Sequence, residues 1–171
     1  MPPRNSYRKY FGPEDKMQEA VCTYLGYAHK NLLWWHTPNE GKRSEFEQTK
    51  FKALGGKRGV SDIILLEESN FAKGLVIELK CGKNHCTTDQ IDFLVNASKR
   101  RYTASVVYDS SHAVIKLIER HLKTGICLPG DGIYYIKGKD EKIIPLDKAH
   151  EQLRPKTRVK KTRKGKLFNH P

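Results

Sequence analysis

The chain has 171 residues and a mass of 19.7 kDa, enough to bury one core of its own, so neither disulfide staples nor a structural metal is required for folding. It is 37% hydrophobic and 30% charged with a net charge of +13, the profile of a soluble protein drawn to polyanions, nucleic acid first among them. The longest apolar runs, such as Ile63-Ile64-Leu65-Leu66, fall far short of the roughly 18 to 20 residues that cross a bilayer, and no apolar segment follows Met1. Membrane insertion and secretion are therefore not expected; a cytoplasmic location is, meaning the host cytoplasm if the protein is viral.

The N-terminal residues 1–12 read as a loose end. Pro13 then stands where a helix places its first residue, Glu14 and Asp15 follow, and Met17, Ala20, Val21, Tyr24, Leu25 and Ala28 recur at helical spacing, which predicts a helix over 13–29. Residues 32–36 predict a strand. Ser44-x-x-Glu47 is a capping box that opens a short inserted helix ending at Gly55-Gly56. Residues 62–66 and 75–80 are β-rich runs, and the eight residues between them suit an antiparallel return. Thr87-x-x-Gln90 opens a helix reaching Arg100, residues 104–108 form a strand, and Val114, Leu117, Ile118 and Leu122 mark another helix. Residues 133–137 and 143–146 form a terminal hairpin.

The order α-β-(α)-β-β-α-β-α predicts an α/β fold. One domain over 13–150 is followed by a basic arm over 151–171. Eight of the 32 Lys and Arg lie between Arg154 and Lys166 with no acidic residue among them, so residues 1–153 hold 24 against 19 acidic residues and a net charge of +5. Too few apolar residues remain in that arm for a core. Cys22, Cys81, Cys86 and Cys127 lack paired CxxC spacing and are expected as reduced thiols. Cys81, His85 and Cys86 supply three ligands without a fourth, a poor structural metal site.

The chemistry concentrates in Gly59-Val60-Ser61-Asp62 and, fifteen residues later, Glu78-Leu79-Lys80. Glu78 and Lys80 are two apart on a strand, so they leave the same face. If Leu66 and Gly74 close the hairpin, Asp62 lies directly across from Glu78, with Cβ atoms about 4.5 to 5.5 Å apart. Two facing carboxylates require a cation between them: a divalent ion with oxygen ligands, or the amine of Lys80. A slip of one residue would send Asp62 to the other face. With magnesium, such a cluster suits phosphodiester hydrolysis, Lys80 orienting or deprotonating the attacking water. Without it, Glu78 and Lys80 are an ordinary solvated strand face.

The segments Gly59-Val60-Ser61-Asp62-Ile63, Gly74 to Lys80 and Thr88-Asp89-Gln90-Ile91-Asp92-Phe93-Leu94 resemble the VRR-NUC family of PD-(D/E)xK nucleases. Glu14-x-x-x-Gln18 resembles its first-helix motif, and Trp35 to Arg43 the loop that phage-type, single-domain members carry. The resemblance spans residues 13–122. It implies a restriction-endonuclease-like core, a central mixed β-sheet flanked by α-helices. It also implies magnesium or manganese held by Glu14, Asp62, Glu78 and the Leu79 carbonyl, with Lys80 assisting the water and Gln90 completing the site. No organic cofactor is implied. The proline usual before the Asp is Ser61 here.

Several of these residues have a second reading. Gln90 completes a capping box, and Glu14 complements a helix N-terminus. His36 suits either a core or a substrate contact, and Asn39, Lys42, Arg43, Lys57 and Arg58 suit either phosphate contacts or solvated loops. Trp34 and Trp35 fit a core or interface better than base stacking. The resulting expectation is a magnesium-dependent DNA endonuclease acting as a homodimer on branched DNA such as four-way (Holliday) junctions. The alternatives are a flap or nicking nuclease, an enzyme acting on RNA, or a non-catalytic nucleic-acid-binding protein on a nuclease scaffold.

Overall fold

The computed structural model describes residues 6–38, 44–124 and 132–154. Helix α1 spans Pro13–Ala28, and its first turn is closed by Asp15, whose carboxylate accepts from the Gly12 N–H at 2.7 Å. Strand β1 (Trp34–His36) and helix α2 (Glu45–Ala53) follow, then β2 (Ile63–Leu65) and β3 (Leu75–Lys80). The Ser44 and Thr87 capping boxes both form, opening α2 and α3 (Thr88–Lys99). Strand β4 (Thr103–Tyr108), helix α4 (Ser111–Thr124), the hairpin β5 (Gly132–Lys137) and β6 (Asp140–Pro145), and helix α5 (Ala149–Leu153) complete the described chain.

Six described strands make one sheet in sequence order, β1 to β6. The β1–β2, β2–β3 and β5–β6 pairs are antiparallel, and β3–β4 and β4–β5 are parallel. This is the mixed sheet expected of a restriction-endonuclease-like core. Its two faces carry separate cores. On one, Met17, Val21 and Leu25 of α1 and Val114 and Ile118 of α4 cover Ile63, Leu65 and the odd-numbered residues of β3. On the other, Ile91 and Leu94 of α3 and Leu153 of α5 cover Ile64, Val76 and Val106. β3 is covered on both faces, and all six of its residues are buried.

Three segments depart from the sequence reading. Ser6–Tyr10 forms a 3-10 turn inside the expected loose end, and Arg8 is paired with Glu19 of α1 at 2.8 Å. Strand β6 begins at Asp140 rather than 143, because Asp140, Glu141 and Lys142 lie on an exposed edge and lack the alternation that marks a half-buried strand; Gly138, at φ +61°, makes the tight turn before it. The expected boundary at residue 150 cuts through α5, where Leu153 is buried and Arg154 reaches the Thr88 hydroxyl. The basic arm beyond Arg154 and Cys127 lie outside the described residues.

Helices α1 and α4 are also tied by polar groups. Glu119 accepts from Lys123 and from Tyr24 and His29, each at 2.5 Å. Those hydrogen bonds, Lys123 first, hold its carboxyl down at about 2. A carboxylate depressed on folding adds stability above its ordinary range and loses it as pH falls through the folded value. Glu119→Gln should therefore lower stability at pH 7 by about 1 kcal/mol. It should also flatten the loss of stability between about pH 4.5 and 2, as read from urea midpoints across that range.

Candidate active site

A strand buried on both faces should be apolar throughout, yet β3 places Glu78 and Lys80 on the α3 face, Glu78 fully buried and Lys80 6% exposed. The register Ile63↔Ile77, Ile64↔Val76, Leu65↔Leu75, carried one residue further, brings Asp62 opposite Glu78. Asp62 is held there from two sides. Its Oδ2 accepts from the Leu79 N–H at 2.8 Å, and its carbonyl accepts from the Thr37 N–H at 2.9 Å.

The Lys80 amine donates to Glu78 Oε1 at 2.7 Å and to the Leu79 carbonyl at 3.0 Å. Gln90 fills both of its readings at once: its Oε1 accepts from the Thr87 N–H at 2.8 Å, and its Nε2 donates to Glu78 Oε1. Glu78 Oε1 thus has two donors, whereas Glu78 Oε2 is buried without a hydrogen-bond partner. Burial, then the charge of Asp62, pushes the Glu78 carboxyl up to about 8 against the downward pull of Lys80. Burial, the largest single influence, pulls the Lys80 amine down, but the charge and hydrogen bond of Glu78 together with the charge of Asp62 outweigh it and leave the amine above its ordinary value. The two titrate as a unit.

This donor set suits a hard cation: Asp62, the unpartnered oxygen of Glu78 and the Leu79 carbonyl are all oxygen ligands. Among the described residues no three His, Cys, Asp or Glu side chains gather as a metal cage, so Glu14 does not close one with Asp62 and Glu78. Glu14 instead accepts from the Cys81 N–H at 3.0 Å and the Asn84 side chain at 3.1 Å, just past the end of β3. Cys81, His85 and Cys86 form no cluster either; burial pushes the Cys86 thiol up to about 12.

His36 pairs with Ile63, so it lies on the α1 face, opposite Glu78, where its ring meets the Gln18 amide. Lys57 and Arg58 are exposed, and Arg58 bonds Gln48 at 3.0 Å. Asn39, Lys42 and Arg43 lie outside the described residues. The sequence reading missed a groove of about 820 Å³ along α3, floored by Trp35, Ile64 and Val76. The stripe Asp89, Phe93, Asn96, Arg100 along one helix side was the available signal.

A solved structure described as a VRR_NUC domain protein is similar to this chain, at 25% identity and a TM-score of 0.54, over 69% of this chain and 98% of that one. That likeness supports the VRR-NUC family for this chain, in agreement with its motifs. No family model and no curated protein matches it. Relative to the VRR-NUC pattern, the residue before the aspartate is a fully buried serine whose hydroxyl has no partner.

Gly59, at φ +75°, lets this segment pass so close to α3 that a Cβ there would meet the Asp89 backbone at 2.2 Å. Gly59→Ala should cost about 2 kcal/mol or more, from strain and from prising the loop off α3, measured as a shift in the urea midpoint.

Proposed function

We propose that this chain is a magnesium- or manganese-dependent endodeoxyribonuclease that cuts branched DNA, four-way junctions above all, by direct attack of water, and that two copies pair so that opposed strands are both cut. The VRR_NUC likeness supports a nuclease domain; the metal, the branched substrate and the pairing go beyond it. The observation that carries the reading is Glu78 Oε2, a carboxylate oxygen buried in the central strand with no partner. Leaving such a group unsatisfied costs on the order of 1–3 kcal/mol or more, and an ion that uses the oxygen offsets that cost.

Asp62, Glu78 and the Leu79 carbonyl would hold the ion, which supplies charge that acidifies the attacking water and steadies the leaving oxygen. Gln90 fixes the Glu78 carboxylate through Oε1 and leaves Oε2 for that task. Glu14 adds negative charge from α1. Lys80 now rests on Glu78 Oε1 and the Leu79 carbonyl; displaced from them it would donate to and orient the water, and it would take the water's proton only after giving its own to solvent, which a cation beside it would favour. Lys57 and Arg58, exposed near the site, contact substrate phosphates.

The test is cleavage of labelled four-way junction, flap, single-stranded and linear duplex DNA, and of a matched RNA junction, with magnesium, manganese or chelator. Cutting is expected with metal alone and fastest on the junction, with Lys80→Ala and Asp62→Asn each slower by about 100-fold or more. A protein that binds every substrate and cuts none is a binding module on a nuclease scaffold.

The basic arm adds sequence-independent phosphate binding. Deleting residues 155–171, which spares Leu153 and Arg154, should weaken DNA binding and lower the log–log salt slope by roughly 0.9 for each phosphate no longer neutralised, as read by anisotropy from low to physiological salt.

A further inference from the structure

We infer that the groove along α3 receives unpaired bases of the strand being cut, an inference that rests on the nuclease reading above. The groove lies on the same sheet face as the candidate site and next to it along β2 and β3, although the site side chains do not line it. Its floor residues Ile64 and Val76 lie two positions along β2 and β3 from Asp62 and Glu78, on the same face, which sets the floor about 7 Å from the carboxylates. Trp35, the cross-strand partner of Ile64, extends the floor with an indole 42% exposed, and Phe93 of α3 adds a second ring.

Three features select the occupant. Lys57, Arg58 and Arg100 on the rim match a phosphodiester backbone. Of the wall's acids, Asp92 is already engaged by His150 at 2.9 Å. The exposed indole of Trp35, beside the partly buried ring of Phe93, offers a stacking surface that base faces reach only when unpaired, since those of a duplex are stacked within it. At about 820 Å³ the groove lies within the usual size of ligand clefts, about 300–1,000 Å³. A cutting centre beside such a groove favours the unpaired nucleotides at a branch point over continuous duplex.

The test uses full-length Lys80→Ala protein, so that binding is read without cleavage, and labelled (dT)8 against an abasic oligonucleotide of the same length and charge. The expected result is affinity for (dT)8 higher by about 5- to 150-fold per stacked base, read by anisotropy. Trp35→Leu keeps an apolar floor without the ring and should erase most of that preference while leaving abasic binding unchanged. Arg100→Glu, at an exposed rim position, should weaken both ligands alike. Equal affinity for the two oligonucleotides, a preference that survives Trp35→Leu, or burial of Trp35 by a second copy without DNA would overturn the inference. Each of those failures leaves metal-dependent cutting by the wild type untouched, and a base preference in a protein that cuts nothing would retain the groove and remove the nuclease.

Discussion

The arrangement turns on one buried ion pair. Glu78 and Lys80 occupy adjacent same-face positions of a strand whose six residues are all buried, where little water reaches either group and burial works against the charged form of each. An apolar pair of similar volume is often as stable or more so in such a place, because taking charges out of water costs more than their attraction returns. The pair also remains incompletely satisfied: Lys80 and Gln90 both serve Glu78 Oε1, and Oε2 has neither. Stability alone does not account for this strand. The cation proposed above, drawn in from solvent, would use the oxygen that the pair leaves unserved.

The surrounding fold presents that oxygen from three directions. The β2–β3 register faces Asp62 toward Glu78, and the Asp62–Leu79 bond fixes the carboxylate where the ladder ends. The N-terminus of α3 brings Gln90, whose side chain caps its own helix and grips Glu78 with its other end. Glu14 at the start of α1 joins the β3 terminus through the Cys81 amide. Two helices from opposite faces of the sheet therefore meet at the same strand end, so the charge cluster is a property of tertiary packing and not of one motif.

Much of this could be read from the chain. The capping boxes named their helix starts because the signal is local, and β3 was legible from an unbroken apolar run ending in charge. The Leu66–Gly74 return set the register, since side-chain alternation lets a hairpin's closure decide which residues face each other. What escaped reading depends on distant partners. Helix α5 is short and is helical because Leu153 packs under α3. His36 and Trp35 are neighbours in sequence, yet pairing with Ile63 and Ile64 sends one to the α1 face and the other into the groove. No local pattern separates the two until the edge strand has a register.

Ser61 shows how far the family's pattern can bend without losing its geometry. A proline there would fix φ and remove an N–H donor, stiffening the approach to the aspartate by its own covalent structure. Serine supplies neither constraint, and its buried hydroxyl finds no partner, which adds a cost the proline would not incur. The constraint comes from the neighbours instead. Gly59 lies against the Asp89 backbone, the Thr37 amide holds the Asp62 carbonyl, and the Leu79 amide holds its side chain. With the segment anchored on both sides of residue 61, its backbone has little freedom left for a proline to remove. The position of Asp62 then follows from the sheet and α3, which is why the substitution leaves the carboxylate opposite Glu78.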